Sequence, residues 1–162
     1  FPKFKRRIDK FSFKLPIFGN LISQSIYART ALIMSNLVSA GVSVIETLEI
    51  VKETNTNLII SDAIENVKRG VFSGMDLSKL FLKEVAFPPQ FGQLIAVGEK
   101  TGNLEEMFIS IANYYQEEFD NAVKTLSTAI EPIMIVLIGT LIGFLLLAMY
   151  MPIFNAGSVV GG

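Results

Sequence analysis

The residues with the most chemical promise lie between Gly92 and Thr101, in the run GQLIAVGEKT. A phosphate-binding loop needs G-x-x-x-x-G-K-[ST], whose backbone amides and lysine face the phosphates. Here five residues separate Gly92 from Gly98, and Glu99 stands between that glycine and Lys100. Glu99 would set a negative charge against the phosphates, and no strand pattern precedes the run, so nucleotide binding is rejected. Gly98, Glu99, Lys100, Thr101 and Gly102 read instead as a turn that stops one helix and starts the next. Glu99 is then a solvated turn residue, or it accepts from backbone amides at the N-terminus of the following helix. A functional reading makes the same turn a contact surface.

The other candidates are carboxylates. Glu105, Glu106, Glu117, Glu118 and Asp120 lie close together in the sequence. Paired carboxylates can hold a hard cation or exchange protons. On a polar helix face, the same spacing gives a solvated surface. No metal ligand, catalytic residue or cofactor is therefore assigned. The chain has no histidine and no cysteine. Thiolate, Ser-His-Asp and His-metal chemistry are excluded on that ground, as are disulfides. With no convergent catalytic constellation left in the sequence, the chain is expected not to be an enzyme.

The elements that carry these residues are helical. Pro16 and Gly19-Asn20 predict an elbow over Leu15 to Asn20. From Ile26 a helix is expected, with Tyr27, Ala31, Met34 and Val38 on one face. Gly41 ends it. Ser43 and Glu46 begin a second helix, which runs to about Glu53. Asn55-Thr56-Asn57 is a polar break. A third helix places Ile60, Ile64, Val67 and Val71 on one stripe, with Asp62, Glu65, Lys68 and Arg69 largely off it. Asp76 can cap a short fourth helix, and Pro88-Pro89 opens a fifth that runs to about Val97. Asn103 and Glu106 start a sixth, with Leu104, Phe108, Ile111, Tyr115 and Ala122 on one face. Tyr114-Tyr115 supplies one rim ring and one core ring. No period-2 alternation suggests a hairpin, so the fold class is all-α.

Charge divides the chain. Residues 1 to 14 carry Lys3, Lys5, Arg6, Arg7, Lys10 and Lys14 against Asp9 alone. The body that follows is acidic, which disfavours nucleic acid. The basic run fits a segment beside a membrane on its cytoplasmic face, and predicts a further span before Phe1. After Glu131 no charged side chain appears through Gly162. Ile133 to Met151 (IMIVLIGTLIGFLLLAMYM) would span about 28 Å as a helix, close to the ~30 Å of a bilayer's hydrocarbon core. Pro132 predicts a helix bend at the membrane entrance. Gly139 and Gly143 form a GxxxG pair suited to helix packing in the membrane. The expected organisation is a basic juxtamembrane segment and elbow over 1–20 and a helical domain over 21–131. A transmembrane helix over 132–154 and a short tail over 155–162 complete it.

These residues together resemble a family. The landmarks are Leu15-Pro16-Ile17-Phe18-Gly19 after the basic run, Leu37 with Ala40-Gly41-Val42, Leu48, Gly74 with Leu77-Ser78, and Phe87-Pro88. Gly98-Glu99 with Thr101-Gly102 and Leu104 is the most diagnostic group. Tyr114-Tyr115 with Glu118, Glu131-Pro132 and Pro152-Ile153-Phe154 follow. In order and spacing the chain resembles the C-terminal half of the inner-membrane platform proteins of type II secretion and type IV pilus machines, the GspF/PilC family. The resemblance implies a six-helix cytoplasmic bundle that continues into a C-terminal transmembrane helix, and a nonenzymatic scaffold. It implies a cytoplasmic assembly ATPase, pilin or pseudopilin subunits, other inner-membrane assembly proteins and further copies of itself as partners, within membrane lipid. On it, Gly98, Glu99, Thr101 and Gly102 become interaction residues, and the tail becomes extracytoplasmic. The alternative is a membrane-anchored helical adaptor or regulatory domain with no filament.

Overall fold

A computed structural model describes residues 18–160, with side chains through residue 157. The basic run and the Leu15-Pro16 part of the expected elbow lie outside the described residues. Six helices follow in order: α1 (Phe18–Ser39), α2 (Val44–Thr54), α3 (Leu58–Phe72), α4 (Leu77–Lys83), α5 (Pro89–Thr101) and α6 (Leu104–Val160). No strand occurs among the described residues. The chain divides into two units, one ending at Ala122 and the other beginning at Val123.

Sequence-local caps set most boundaries. The Ser43 hydroxyl accepts from the Glu46 amide at 3.3 Å at the start of α2. Asn57 accepts from the amides of Ile59 and Ile60 at the start of α3. Each bond satisfies donors that a helix start leaves without partners. Pro89 occupies the first turn of α5, where its missing N–H costs nothing.

Two boundaries differ from expectation. The first helix begins at Phe18, so Gly19 and Asn20 are helical and form no turn. Ser23 donates to the Gly19 carbonyl at 2.8 Å and Gln24 to Asn20 Oδ1 at 3.3 Å, both four residues back along the helix. These local bonds and the burial of Gly19 outweigh its weak helix propensity. At the other end of the bundle, α5 continues to Thr101. Gly98 therefore sits inside a helix and does not stop it.

The first unit closes around the predicted stripes. Ala31 and Met34 on α1, Ile60, Ile64 and Val67 on α3, and Phe108 and Ile111 on α6 are fully or almost fully buried. Its centre is aromatic. Phe91 lies 5.1 Å from Phe81, 4.9 Å from Phe87 and 6.2 Å from Tyr115, centroid to centroid. Such pairs contribute about 0.5–1.5 kcal/mol each beyond area burial. Tyr27 joins them and donates its hydroxyl to the Ala86 carbonyl at 2.8 Å, tying α1 to the loop before α5. Tyr115 is buried and Tyr114 is at the rim.

The second unit has no core. Ile133, Ile135, Leu141, Leu145 and Leu147 are each more than half exposed, and their helical spacing places them on different sides of one helix. One helix is long and apolar enough to cross a membrane. Its only clear polar side chain there, Thr140, returns its hydroxyl to the Val136 carbonyl at 2.8 Å. In lipid every polar group must find a partner within its own segment, and this one does. Helix persists through Pro132, Pro152 and the start of the expected tail to Val160.

Candidate functional site

The residues of the Gly98–Gly102 group have four different roles. Gly98 is buried at a close approach. A Cβ there would lie 2.8 Å from Met107 Cγ and 3.2 Å from Leu104 Cδ2, both at the start of α6. Only glycine lets α6 seat this near α5. The Gly98 carbonyl also accepts from the Gly102 and Asn103 amides, the latter at 3.0 Å. Gly102 has φ 71°, the left-handed geometry that ends α5 and that side chains with a Cβ resist. Thr101 is exposed and returns its hydroxyl to the Val97 carbonyl at 2.9 Å. Asn103 then caps α6, accepting from the Glu106 amide at 3.3 Å and donating to the Glu106 carboxylate.

Glu99 reaches away from α6. Its Oε1 accepts from the Ser78 amide at 3.1 Å, and its Oε2 accepts from the Ser78 hydroxyl at 2.6 Å. Ser78 is the second residue of α4. The carboxylate thus binds a helix N-terminus, as charge and dipole favour, but the helix is α4 and not α6. Asp76, expected to cap α4, makes no side-chain cap bond and pairs with Lys79 at 3.0 Å. Sequence reasoning gave Ser78 no role. The joint presence of Leu77-Ser78 and Gly98-Glu99 among the landmarks was the one available signal.

Two surface openings meet at this point. The larger, about 650 Å³, is walled mainly by apolar residues including Val71, Leu77 and Leu82, with Lys79 and Lys100 at its edge. The smaller, about 460 Å³, includes Val38, Gly98, Gly102 and Glu105. Glu99 and Leu104 line both. The larger opening is thus an apolar recess with a few polar groups among its lining residues.

The remaining candidates lie apart. Asp120 accepts from Gln116 Nε2 at 3.2 Å on the outside of α6. Among the described residues no three acidic side chains converge on one point. Glu49 and Lys52 of α2 interlock with Glu65 and Lys68 of α3. Lys52 lies 2.8 Å and Lys68 3.1 Å from Glu65 Oε2, and Lys68 also pairs with Glu49. The Lys52 and Lys68 ammonium groups hold the Glu65 carboxyl down at about 2. Burial pushes the Tyr115 phenol up, and among the described residues its hydroxyl has no hydrogen-bond partner. In the apolar helix, a Cβ at Gly139 or Gly143 would meet nothing within 4 Å. Pro132 is exposed.

Comparison with known proteins bears on this arrangement. The profile of the family described as Type II secretion system (T2SS), protein F matches residues 30–152, which takes in residues 98–102 and the apolar helix. The type IV pilus assembly protein PilC of Pseudomonas aeruginosa is 40% identical over 159 residues, 98% of this chain and 42% of that protein. The PilC protein of Thermus thermophilus is 35% identical over 155 residues, 95% of this chain and 38% of that protein. The type II secretion system protein F of Pseudomonas aeruginosa is 27% identical over 158 residues, 98% of this chain and 39% of that protein. The chain spans well under half the length of these relatives. The matched region takes in most of the helical bundle and the apolar run from Ile133 to Met151, and the chain belongs to the type II secretion system protein F family.

Proposed function

We propose that the chain is part of a nonenzymatic inner-membrane platform that couples a cytoplasmic assembly ATPase to the assembly of pilin or pseudopilin subunits into a filament. The observation that carries this reading is the likeness to pilus assembly and secretion proteins along nearly the whole chain. The acidic bundle sits in the cytoplasm, the apolar helix crosses the inner membrane, and the tail from Asn155 emerges outside. The excess of Lys and Arg over residues 1–14 supports this orientation. Labelling of a cysteine placed at Ser158 by an impermeant reagent from outside is the direct test; protection until the membrane is breached sinks the topology.

The contact region on this reading is the end of α5 with its two openings. Thr101 and Gly102 stand at the exposed edge, while Gly98 and Glu99 shape it from beneath. Photocrosslinkers placed at exposed positions between residues 90 and 110 should capture the ATPase in cells. Recovery of unrelated partners alone would favour the adaptor reading. In the membrane, Gly139 and Gly143 form the seam for another helix, from a second copy or another assembly protein. The four-residue spacing of the two glycines supports that role. Pro132 acts as the bend at the membrane entrance, because it has no N–H to donate to the Thr128 carbonyl. Helix α6 supplies residues to both units, so a displacement of the bundle has a route into the bilayer.

A further inference from the structure

We infer that Glu99 is a positioning residue: from α5 it caps α4, and so sets the wall between the two openings from inside the bundle. The inference rests on the reading of residues 98–102 as a contact region and changes how that region acts. A helix start leaves amides without partners, and a neighbouring side chain at the cap usually supplies the acceptor. In α4 that side chain is Asp76, whose carboxylate is turned to Lys79. Glu99, twenty-one residues beyond Ser78, takes its place with both oxygens on that serine. Ser78 is only 5% exposed, and it lines the larger opening beside Glu99.

Helix α4 has seven residues, too few to be stable alone. It is held by the burial of Leu77, Leu80 and Phe81 and by the Glu99 link. The burial fixes which face points inward. The link fixes where the first turn lies along α5. Gly98, the preceding residue, sets the closeness of α6. Two consecutive residues of α5 therefore locate the helices on either side, and both openings take their shape from this joint. For Glu99 to bind a partner directly, Ser78 would have to give up a two-point, charge-assisted interaction.

The test uses the full protein in detergent micelles and in cells, with Ser78→Ala, Glu99→Ala, their combination and Glu99→Gln. Hydrogen exchange reports on α4, and crosslinking from Thr101 reports on partner capture. Losing a hydrogen bond to a charged group should speed exchange at the start of α4 about 10-fold or more. Glu99→Ala removes both bonds and should do this fully; Ser78→Ala should do it less, because the residue-78 amide still donates to Glu99, and the combination should match Glu99→Ala. Glu99→Gln should retain part of the protection, because its amide oxygen still accepts from the Ser78 amide. Exchange in α2 and α3 should stay unchanged. The role is overturned by unchanged α4 exchange in Glu99→Ala, by additive effects in the combination, or by equal acceleration in every helix. Lost partner capture with normal α4 exchange in Glu99→Ala would also overturn it, and would leave direct contact standing. Faster α4 exchange with capture intact keeps the positioning role and removes the contact reading.

Discussion

The glycines at Gly98 and at Gly139 and Gly143 look alike in sequence and stand in opposite surroundings. At Gly98 the space of a side chain is already filled by Met107 and Leu104 of the same chain. At Gly139 and Gly143 that space is open. The same contrast separates the two units. In the bundle, apolar residues lie on stripes and meet one another, so the chain satisfies itself. In the C-terminal helix they face every direction and meet nothing, so their complement must come from lipid or another helix. A small residue inside a self-satisfied unit marks a joint that is finished. In the apolar helix, on the proposed reading, it marks a place for another helix.

The largest effect that would probe this contrast is at the aromatic centre. Phe91→Ala should destabilise the bundle by about 3–5 kcal/mol, read from chemical unfolding of the first unit's tyrosine signal. Loss of less than about 1 kcal/mol would mean that the rings are not a shared core. Gly98→Val comes next, at about 1–3 kcal/mol from overpacking against α6. A variant as stable as the parent would show that the joint yields, and the contrast with the membrane glycines would lapse.

Tyr115→Phe should move stability the other way. Its buried hydroxyl has no partner among the described residues, and removing an unsatisfied polar group relieves its desolvation cost, for a gain on the order of 1 kcal/mol. A falling melting temperature would reveal an acceptor or bound water at that hydroxyl. A smaller effect follows pH. The folded-state pKa of Glu65 is depressed to about 2 from an ordinary 4.5. Its pairing therefore contributes fully above pH 4.5 and is lost as pH falls from there towards 2. Glu65→Gln should flatten the acid limb of the stability profile slightly; an unchanged limb would show that the lysines do not hold it. Finally, joint replacement of Gly139 and Gly143 by leucine should leave bundle unfolding unmoved while weakening self-association in a membrane two-hybrid assay. A destabilised bundle would erase the distinction between the two kinds of glycine.

Much of the fold was legible because its causes are local. Ser43, Asn57 and Asn103 lie within three residues of the amides that they cap. The stripe through Ile60, Ile64 and Val67 is a property of helical spacing. The apolar run from Ile133 needs no neighbour to be recognised. Gly19-Asn20 and Gly98 misled for one reason: glycine is a weak helix former, and its local preference does not reveal what packs against it. Glu99 was legible as an amide ligand, but the helix it serves was not.

Residue types and spacing by themselves determined the helical class, the apolar helix and the absence of histidine and thiol chemistry, because these depend on composition and on neighbours a few positions away. Tertiary structure alone decided that Gly98 is a contact between α5 and α6, that Glu99 answers Ser78, and that two openings meet there. Those facts join residues of different helices. A long-range contact is made by burying the faces of several helices at once, and no short stretch of sequence contains its own partner.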